Sequence, residues 1–387
     1  MELFKGRGAK EDEKELLEVL DDVFFSEDDE ETKRNFLELL PKLYKDRYNP
    51  GYNNVIIKED GAIKAAIGCY PLNVTAAGRS LKIMGIGNVA VAKDSRRKGY
   101  MVELMNLALD IMKDEDFDYS LLGGQRQRYG YFGYEPTGSV QHFVINKGNI
   151  AHIKGKDYKT AFTAKEITES DVETVDKIIE LYKSLPYYMD RNRENCLDAL
   201  RSWRSVPYAA YENGEFKGYF AAQKFGGLLE IKAANVEDTI DLILCAMDVI
   251  GTDSVSFSVP VFDTELCDYM IKYCCGASIG NADMINIFNF GKFIEAFLAI
   301  KAQRMNLCSG TLNVLIHGYK RDENLSITVD GKNVSVTETD AKPDIELDHL
   351  RAIDFISGIY SNHRNSLPAF AQGWFPVDFF AYGQDNV

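Results

Sequence analysis

An apolar strand that runs into three consecutive cations and a glycine, and then into a helix, leaves few folds open to this chain. Gly87-Asn88-Val89-Ala90-Val91-Ala92 precedes Asp94-Ser95-Arg96-Arg97-Lys98-Gly99, and the stretch from Tyr100 to Met112 carries Met101, Leu104, Met105, Ala108 and Met112 at helical spacing. A helix start already holds about half a positive charge, so Arg96, Arg97 and Lys98 are disfavoured there unless an anion sits among them. Gly99 allows close approach to backbone N–H groups, and the combination predicts a pyrophosphate cradle at the helix start. For the loop taken alone, a solvated basic turn is the competing reading.

At 387 residues the chain is long for one core, and three domains are expected, at 1–150, 151–288 and 289–387. The 44 Lys and Arg against 59 Asp and Glu give a net charge of −15. That field repels nucleic acid and anionic membranes, excludes both as expected partners, and suits a small cationic substrate. The first 22 residues are acidic where a signal peptide is basic and then apolar, and no stretch reaches the ~18 apolar residues of a membrane helix. A cytoplasmic protein is expected. The seven cysteines include the adjacent Cys274 and Cys275 but no CxxC spacing, so reduced, mostly buried thiols and no metal are expected.

Helical spacing marks Leu16 to Phe25 and Phe36 to Leu43. Hairpins are expected over 55–70, turning at Asp60-Gly61, and over 74–86, turning at Ala77-Gly78. The region after residue 150 predicts a helix over 165–185 and a hairpin over 207–223 turning at Asn213-Gly214, an echo of the first. There the chain passes from Ala233 into a helix over 236–250 with no Arg-x-x-Gly entry, so the repeat lacks a phosphate cradle. From Phe290 a small α+β segment is expected, with helices over 293–301 and 347–357 and strands over 311–317, 325–329 and 334–337.

About thirty residues beyond the basic loop lies Gly123-Gly124-Gln125-Arg126-Gln127-Arg128-Tyr129-Gly130-Tyr131-Phe132-Gly133-Tyr134. Val89-Ala90-Val91, Arg96 to Gly99, Leu104-Met105 and Tyr129 to Tyr134 together resemble the enhanced intracellular survival family of GNAT N-acetyltransferases. The resemblance spans the whole chain and implies an α/β (α+β) architecture: tandem GNAT folds with mixed central sheets, the second lacking a cofactor loop, plus a C-terminal domain similar to sterol carrier proteins. It implies acetyl-CoA as co-substrate, a primary amine as acceptor and assembly into homo-oligomers. By the same resemblance Val89, Ala90 and Val91 offer backbone groups to the pantetheine arm, Arg97, Lys98, Gly99, Tyr100, Met101 and Val102 cradle the pyrophosphate beside Arg96, and Gly124 and Gln125 also touch the cofactor.

The resemblance makes Tyr129 the general acid that protonates the departing thiolate. A phenol near pKa ~10 donates to a thiolate near ~8.5 only in a dry, pre-oriented site, so geometry has to supply most of the effect. Packing is the alternative role for Tyr129, and Tyr131, Phe132 and Tyr134 read as wall and core. The family takes the substrate proton with its own C-terminal carboxylate after an aromatic residue, but here Asp378-Phe379-Phe380 is followed by seven more residues. Val387 or Asp385 at the end of that tail stays open as the base, as do His142, His152, His317, His349 and His363. No Cys or Ser stands in a nucleophile motif near the loop, so direct transfer is expected. The alternative is an acetyl-CoA-responsive binding protein whose C-terminal domain holds an apolar ligand.

Overall fold

The computed structural model describes residues 2–28, 33–224, 226–359 and 361–387, with His363 described in its backbone alone. The chain divides into two compact units, one of residues 1–138, 283–377 and 386–387, the other of 139–282 and 378–385.

The first unit opens with β1 (Leu3–Arg7), α1 (Glu13–Phe25), α2 (Phe36–Leu39) and α3 (Pro41–Tyr44), then β2 (Asn54–Glu59), β3 (Ala62–Ala76) and β4 (Arg79–Val91). These four strands are antiparallel neighbours in chain order. Asp60-Gly61 and Ala77-Gly78 each place two successive residues at positive φ, the type I′ geometry whose twist matches the flanking strands. The breaks expected inside 70–74 and after 86 are absent, because continuous pairing with each other carries β3 and β4 through. α4 (Tyr100–Asp114) buries Tyr100, Leu104, Met105, Ala108, Leu109 and Met112 against Val55, Ile57, Ile67, Met84 and Ile86 of the sheet. At roughly 25 cal/mol per Å² of apolar surface, such residues stabilise the packing by about 1.5–3 kcal/mol each, which fixes the helix start relative to β4. β5 (Tyr119–Leu122) returns parallel to β4 and leads into α5 (Arg126–Tyr129) and β6 (Glu135–Thr137).

The second unit contains β7 (Val140–Asn146), α6 (Lys147–Lys154), β8 (Thr163–Glu166), α7 (Val172–Lys183), β9 (Tyr187–Met189) and α8 (Cys196–Arg201). It continues through β10 (Val206–Glu212), β11 (Glu215–Ala222), β12 (Gly227–Ala233), α9 (Thr239–Ile250), β13 (Ser254–Pro260), α10 (Thr264–Met270) and β14 (Cys274–Gly280). Its sheet runs β14-β7-β13-β12-β11-β10-β8, with β12 and β13 parallel as β4 and β5 are in the first. Asn213-Gly214 turns β10 into β11 with the same paired positive φ as Asp60-Gly61. The helix expected over 165–185 begins only at Val172, since residues 163–166 pair with β10 as an edge strand. Where the first unit has cations, α9 is entered through Glu237 and Asp238, whose charges already complement the helix dipole.

The chain then re-enters the first unit. β15 (Asp283–Ile287) inserts between β5 and β6, completing the order β1-β2-β3-β4-β5-β15-β6. β7, which follows β6 directly in sequence, lies instead between β13 and β14. Each sheet is therefore completed by a strand from a distant part of the chain. α11 (Phe290–Arg304) covers the sheet face opposite α4, with Tyr119 edge-on to Phe293 at 5.3 Å and Phe297 at 6.2 Å. β16 (Gly310–His317), β17 (Asp322–Asp330), β18 (Asn333–Glu338) and β19 (Ile345–Asp348) form a third sheet, and α12 (His349–Ser357) follows. A cavity of about 240 Å³ beside this sheet is lined by Lys292, Glu295, Arg321, Glu323 and Glu338, with Leu325 and Val336 as its apolar side chains, and so offers no apolar chamber.

Candidate active site

β4 and β5 part company after Gly85, the last β4 residue paired with β5, through Leu121. Between its Gly87 and Ala90 partners β4 holds one residue more than β3 does, a bulge with Asn88 at φ 39°. The Asn88 amide lies 2.9 Å from that of Asn54 and 3.2 Å from the Tyr70 hydroxyl. These buried partners hold the bulge, and the bulge bends β4 away. Val89, Ala90 and Val91 thus lie beyond the last β5 pair, on an open fork where a peptide-like arm can take up backbone hydrogen bonds.

The basic loop joins β4 to α4. Arg97 at φ 70° and Gly99 at φ 86° turn the chain into the helix, and no side chain caps it. Lys98 donates to both carboxylate oxygens of Glu59 at 2.8 Å, and the Tyr100 hydroxyl donates to the same carboxylate. These bonds, Lys98 first, hold the Glu59 carboxyl below its usual range. Arg96 and Arg97 are exposed and, among the described residues, stand in no ion pair. Two cations and an uncapped helix start are thus presented together, with Met101 half-buried and Val102 exposed just behind them.

Gly124 and Gln125 are exposed at the end of β5. A Cβ on Gly124 would meet the Tyr129 ring at 2.4 Å, so the ring packs directly on this glycine. Tyr129 is 8% exposed, and burial raises its phenol pKa against a smaller opposing effect of Arg128, so the hydroxyl is protonated at neutral pH. Phe132 and Tyr134 are buried as expected, whereas Tyr131 is 91% exposed and forms neither wall nor core of its unit.

The end of the chain lies against β4. A Cβ on Gly85 would meet Val387 Cγ2 at 2.7 Å, and one on Gly87 would meet the Val387 carboxyl carbon at 3.2 Å. Sequence reasoning passed over Gly85 and Gly87, although two glycines two residues apart inside a strand of β-formers are an unusual pattern. Asp385, the other tail carboxylate considered, is committed elsewhere. Its Oδ1 accepts from Arg191 Nε at 3.0 Å and a terminal guanidinium nitrogen at 2.7 Å, and its Oδ2 accepts from the Tyr182 hydroxyl at 2.8 Å.

Each described histidine has surroundings of its own within its unit. His142 bonds Ser258 at 2.6 Å in the second unit, and His152 is exposed on α6. His317 is exposed between Glu346 at 2.8 Å and Asp322 at 3.0 Å, hydrogen bonds that raise its pKa. The side chain of His363 lies outside the described residues. His349 accepts the Tyr319 N–H on Nδ1 at 3.0 Å and contacts Asn286 Oδ1 through Nε2 at 2.9 Å, the pattern of a neutral ring. Burial lowers its pKa to about 4. A histidine depressed in the folded state contributes stability that is present above the unfolded value of about 6.5 and lost as pH falls towards 4. Urea titrations should therefore show the native chain losing about 3 kcal/mol more than His349→Gln over that interval. Parallel pH profiles would rule out this account of His349.

The first unit has a GNAT-like fold. The family model described as an acetyltransferase (GNAT) domain matches residues 7–137. Among solved structures, the chain is similar to a probable N-acyltransferase from Enterococcus faecalis (17% identity, 92% of this chain and 90% of that one, TM-score 0.66). A GCN5-related N-acetyltransferase from Anabaena variabilis aligns at 16% identity over 98% and 97% with a TM-score of 0.68, and Eis1 from Mycobacterium abscessus at 12% over 90% and 88% with 0.58. At such identities these structures speak for the fold alone. No curated protein matches the chain. Among the described residues no helix is long and apolar enough to cross a membrane.

Proposed function

We propose that this protein transfers the acetyl group of acetyl-CoA directly to a primary amine of a small, cationic acceptor. The observation that carries the reading is the uncapped start of α4 beside the fork between β4 and β5, with Arg96 and Arg97 exposed and, among the described residues, in no ion pair. Val89 to Val91 bind the pantetheine arm through their backbone, and Arg96 to Val102 take the pyrophosphate at the start of α4. Gly124 and Gln125 flank the thioester. The Val387 carboxylate takes a proton from the acceptor ammonium and passes it to solvent, the free amine attacks the thioester carbonyl, and as the C–N bond forms and the C–S bond breaks the nitrogen gives its second proton to the same carboxylate. Tyr129 gives its hydroxyl proton to the leaving thiolate and recovers one from solvent. A net charge of −15 favours cations at long range.

The sterol-carrier likeness of the C-terminal segment and assembly into homo-oligomers belong to the same reading. The binding-protein alternative needs an apolar ligand chamber, which the charged cavity by the third sheet does not itself supply. The test is thiol release from acetyl-CoA with polyamines, aminoglycosides, lysine analogues, neutral amines and thiols. Turnover that depends on a cationic amine is the expected result. Tight cofactor binding with no acceptor-dependent rate would end the proposal in favour of a sensor.

A further inference from the structure

Asp283, the first residue of β15, holds a carboxyl group with one oxygen uncommitted. Its Oδ1 accepts the Met284 N–H at 2.9 Å, while Oδ2 is shielded from solvent and, among the described residues, has no hydrogen-bond partner. Burial pushes this carboxyl up to about 7, because its charged form has lost water and gained little in return. Register gives its position. β15 and β5 pair Met284 with Leu122 and Ile285 with Leu121, and β5 and β4 pair Leu121 with Gly85. Met284, Leu122, Met84 and Ile86 pack with α4, so Ile285, Leu121 and Gly85 belong to the opposite face. Two residues on from that row stand Asp283, Gly123 and Gly87, on the same face at the mouth of the fork. A Cβ on Gly123 would meet nothing within 4 Å, so the place between the fork and Asp283 is open. On its other side Asp283 is paired with Thr137, whose hydroxyl bonds that of Ser357 on α12.

We infer that Asp283 is a specificity-determining residue that anchors the acceptor through an ammonium group other than the one acetylated. The inference rests on the reading of the fork as an amine acetyltransferase site, and it adds the acceptor's class: a diamine or a longer polyamine. The reacting amine has to lie at the fork, beside Gly124 and Gln125. The open position over Gly123 then separates it from Asp283 by one strand spacing, about 4.8 Å. A second ammonium a few carbons along the acceptor spans that step and gives Oδ2 the charged partner it lacks. An amine with a single charge leaves the oxygen unpaired, at the cost of its desolvation, and the site discriminates against it on that account.

Putrescine and butylamine, alike in carbon chain and different by one ammonium, test the anchor. Steady-state acetylation by the native chain is expected to favour putrescine in kcat/KM by about tenfold or more. Asp283→Asn should remove that preference by raising KM for putrescine, while kcat for putrescine and both constants for butylamine change by less than about threefold. Asp283→Glu, which keeps the charge, should keep part of the preference, and melting temperatures of both variants control for the fold. Equilibrium dialysis of putrescine against the chain saturated with CoA reads the anchor without turnover. Acetylation of both amines alike, or a preference that survives Asp283→Asn, overturns the anchor and leaves the transfer reading standing. Asp283-dependent binding of putrescine with no amine acetylated upholds the cation site and removes the transfer. An Asp283→Asn chain that loses stability and slows both amines equally makes Asp283 a structural residue and overturns the inference.

Discussion

Tyr129→Phe lowers kcat for acetyl transfer by about 10²-fold while acetyl-CoA affinity stays within about twofold. The phenyl ring that remains still packs on Gly124, where a Cβ would collide with it, so the substitution removes a hydroxyl and not a wall. Burial keeps that hydroxyl protonated, which is the state a general acid needs, and a dry setting is where a phenol can meet a thiolate of lower intrinsic basicity. Loss of kcat should be smallest for thioesters with the best leaving groups, because these need the least protonation as the C–S bond breaks. Steady-state kinetics with acetyl-CoA and with an activated aryl thioester provide the comparison. An unchanged kcat with both would return Tyr129 to a packing role and require another acid.

Arg191→Met destabilises the second unit by about 3–5 kcal/mol. Arg191 is 2% exposed and donates to both oxygens of Glu230, at 2.8 and 2.7 Å, and to Asp385. Glu230 is 1% and Asp385 7% exposed, and the hydroxyls of Tyr219 and Tyr182 supply further bonds to them. Removing the guanidinium leaves two buried carboxylates without a counter-charge, whereas replacing all three charged groups together by apolar ones costs far less. Urea unfolding at pH 7 of the native chain and of the variant measures the effect. A change under about 1 kcal/mol at pH 7 would mean that water or local rearrangement solvates the site.

What the sequence disclosed was local. Three adjacent cations before a glycine, and the pairs Asp60-Gly61 and Asn213-Gly214, announce a loop-to-helix entry and two hairpin turns because each needs only its neighbours to act. The lack of such a loop before α9 was equally plain. Positions decided by distant partners were hidden. Residues 163–166 are a strand only because β10 lies beside them, and a short polar stretch carries no period of its own. The bulge at Asn88 depends on Asn54 and Tyr70, and Lys42 looks like any surface lysine until Asn386 is beside it. The tail after Phe380 left the base open between Val387, Asp385 and the histidines. Packing places Val387 on β4 and gives Asp385 to Arg191, and nothing in the tail's own seven residues encodes that division.

The insertion of β15 between β5 and β6 bears on how the molecule comes off the ribosome. Until residue 287 has emerged, β5 has no partner on that flank and β6 none on its inner edge, while β7, already made, waits for β13 and β14. A nascent chain therefore carries exposed strand edges through about 150 residues of synthesis, the interval in which edge-to-edge association is easiest. A gene fragment that stops at residue 138 would encode the loop, the fork and Tyr129, yet it would make a sheet with its sixth position empty. A break at residue 138 therefore parts β5 and β6 from the strand that joins them into one sheet.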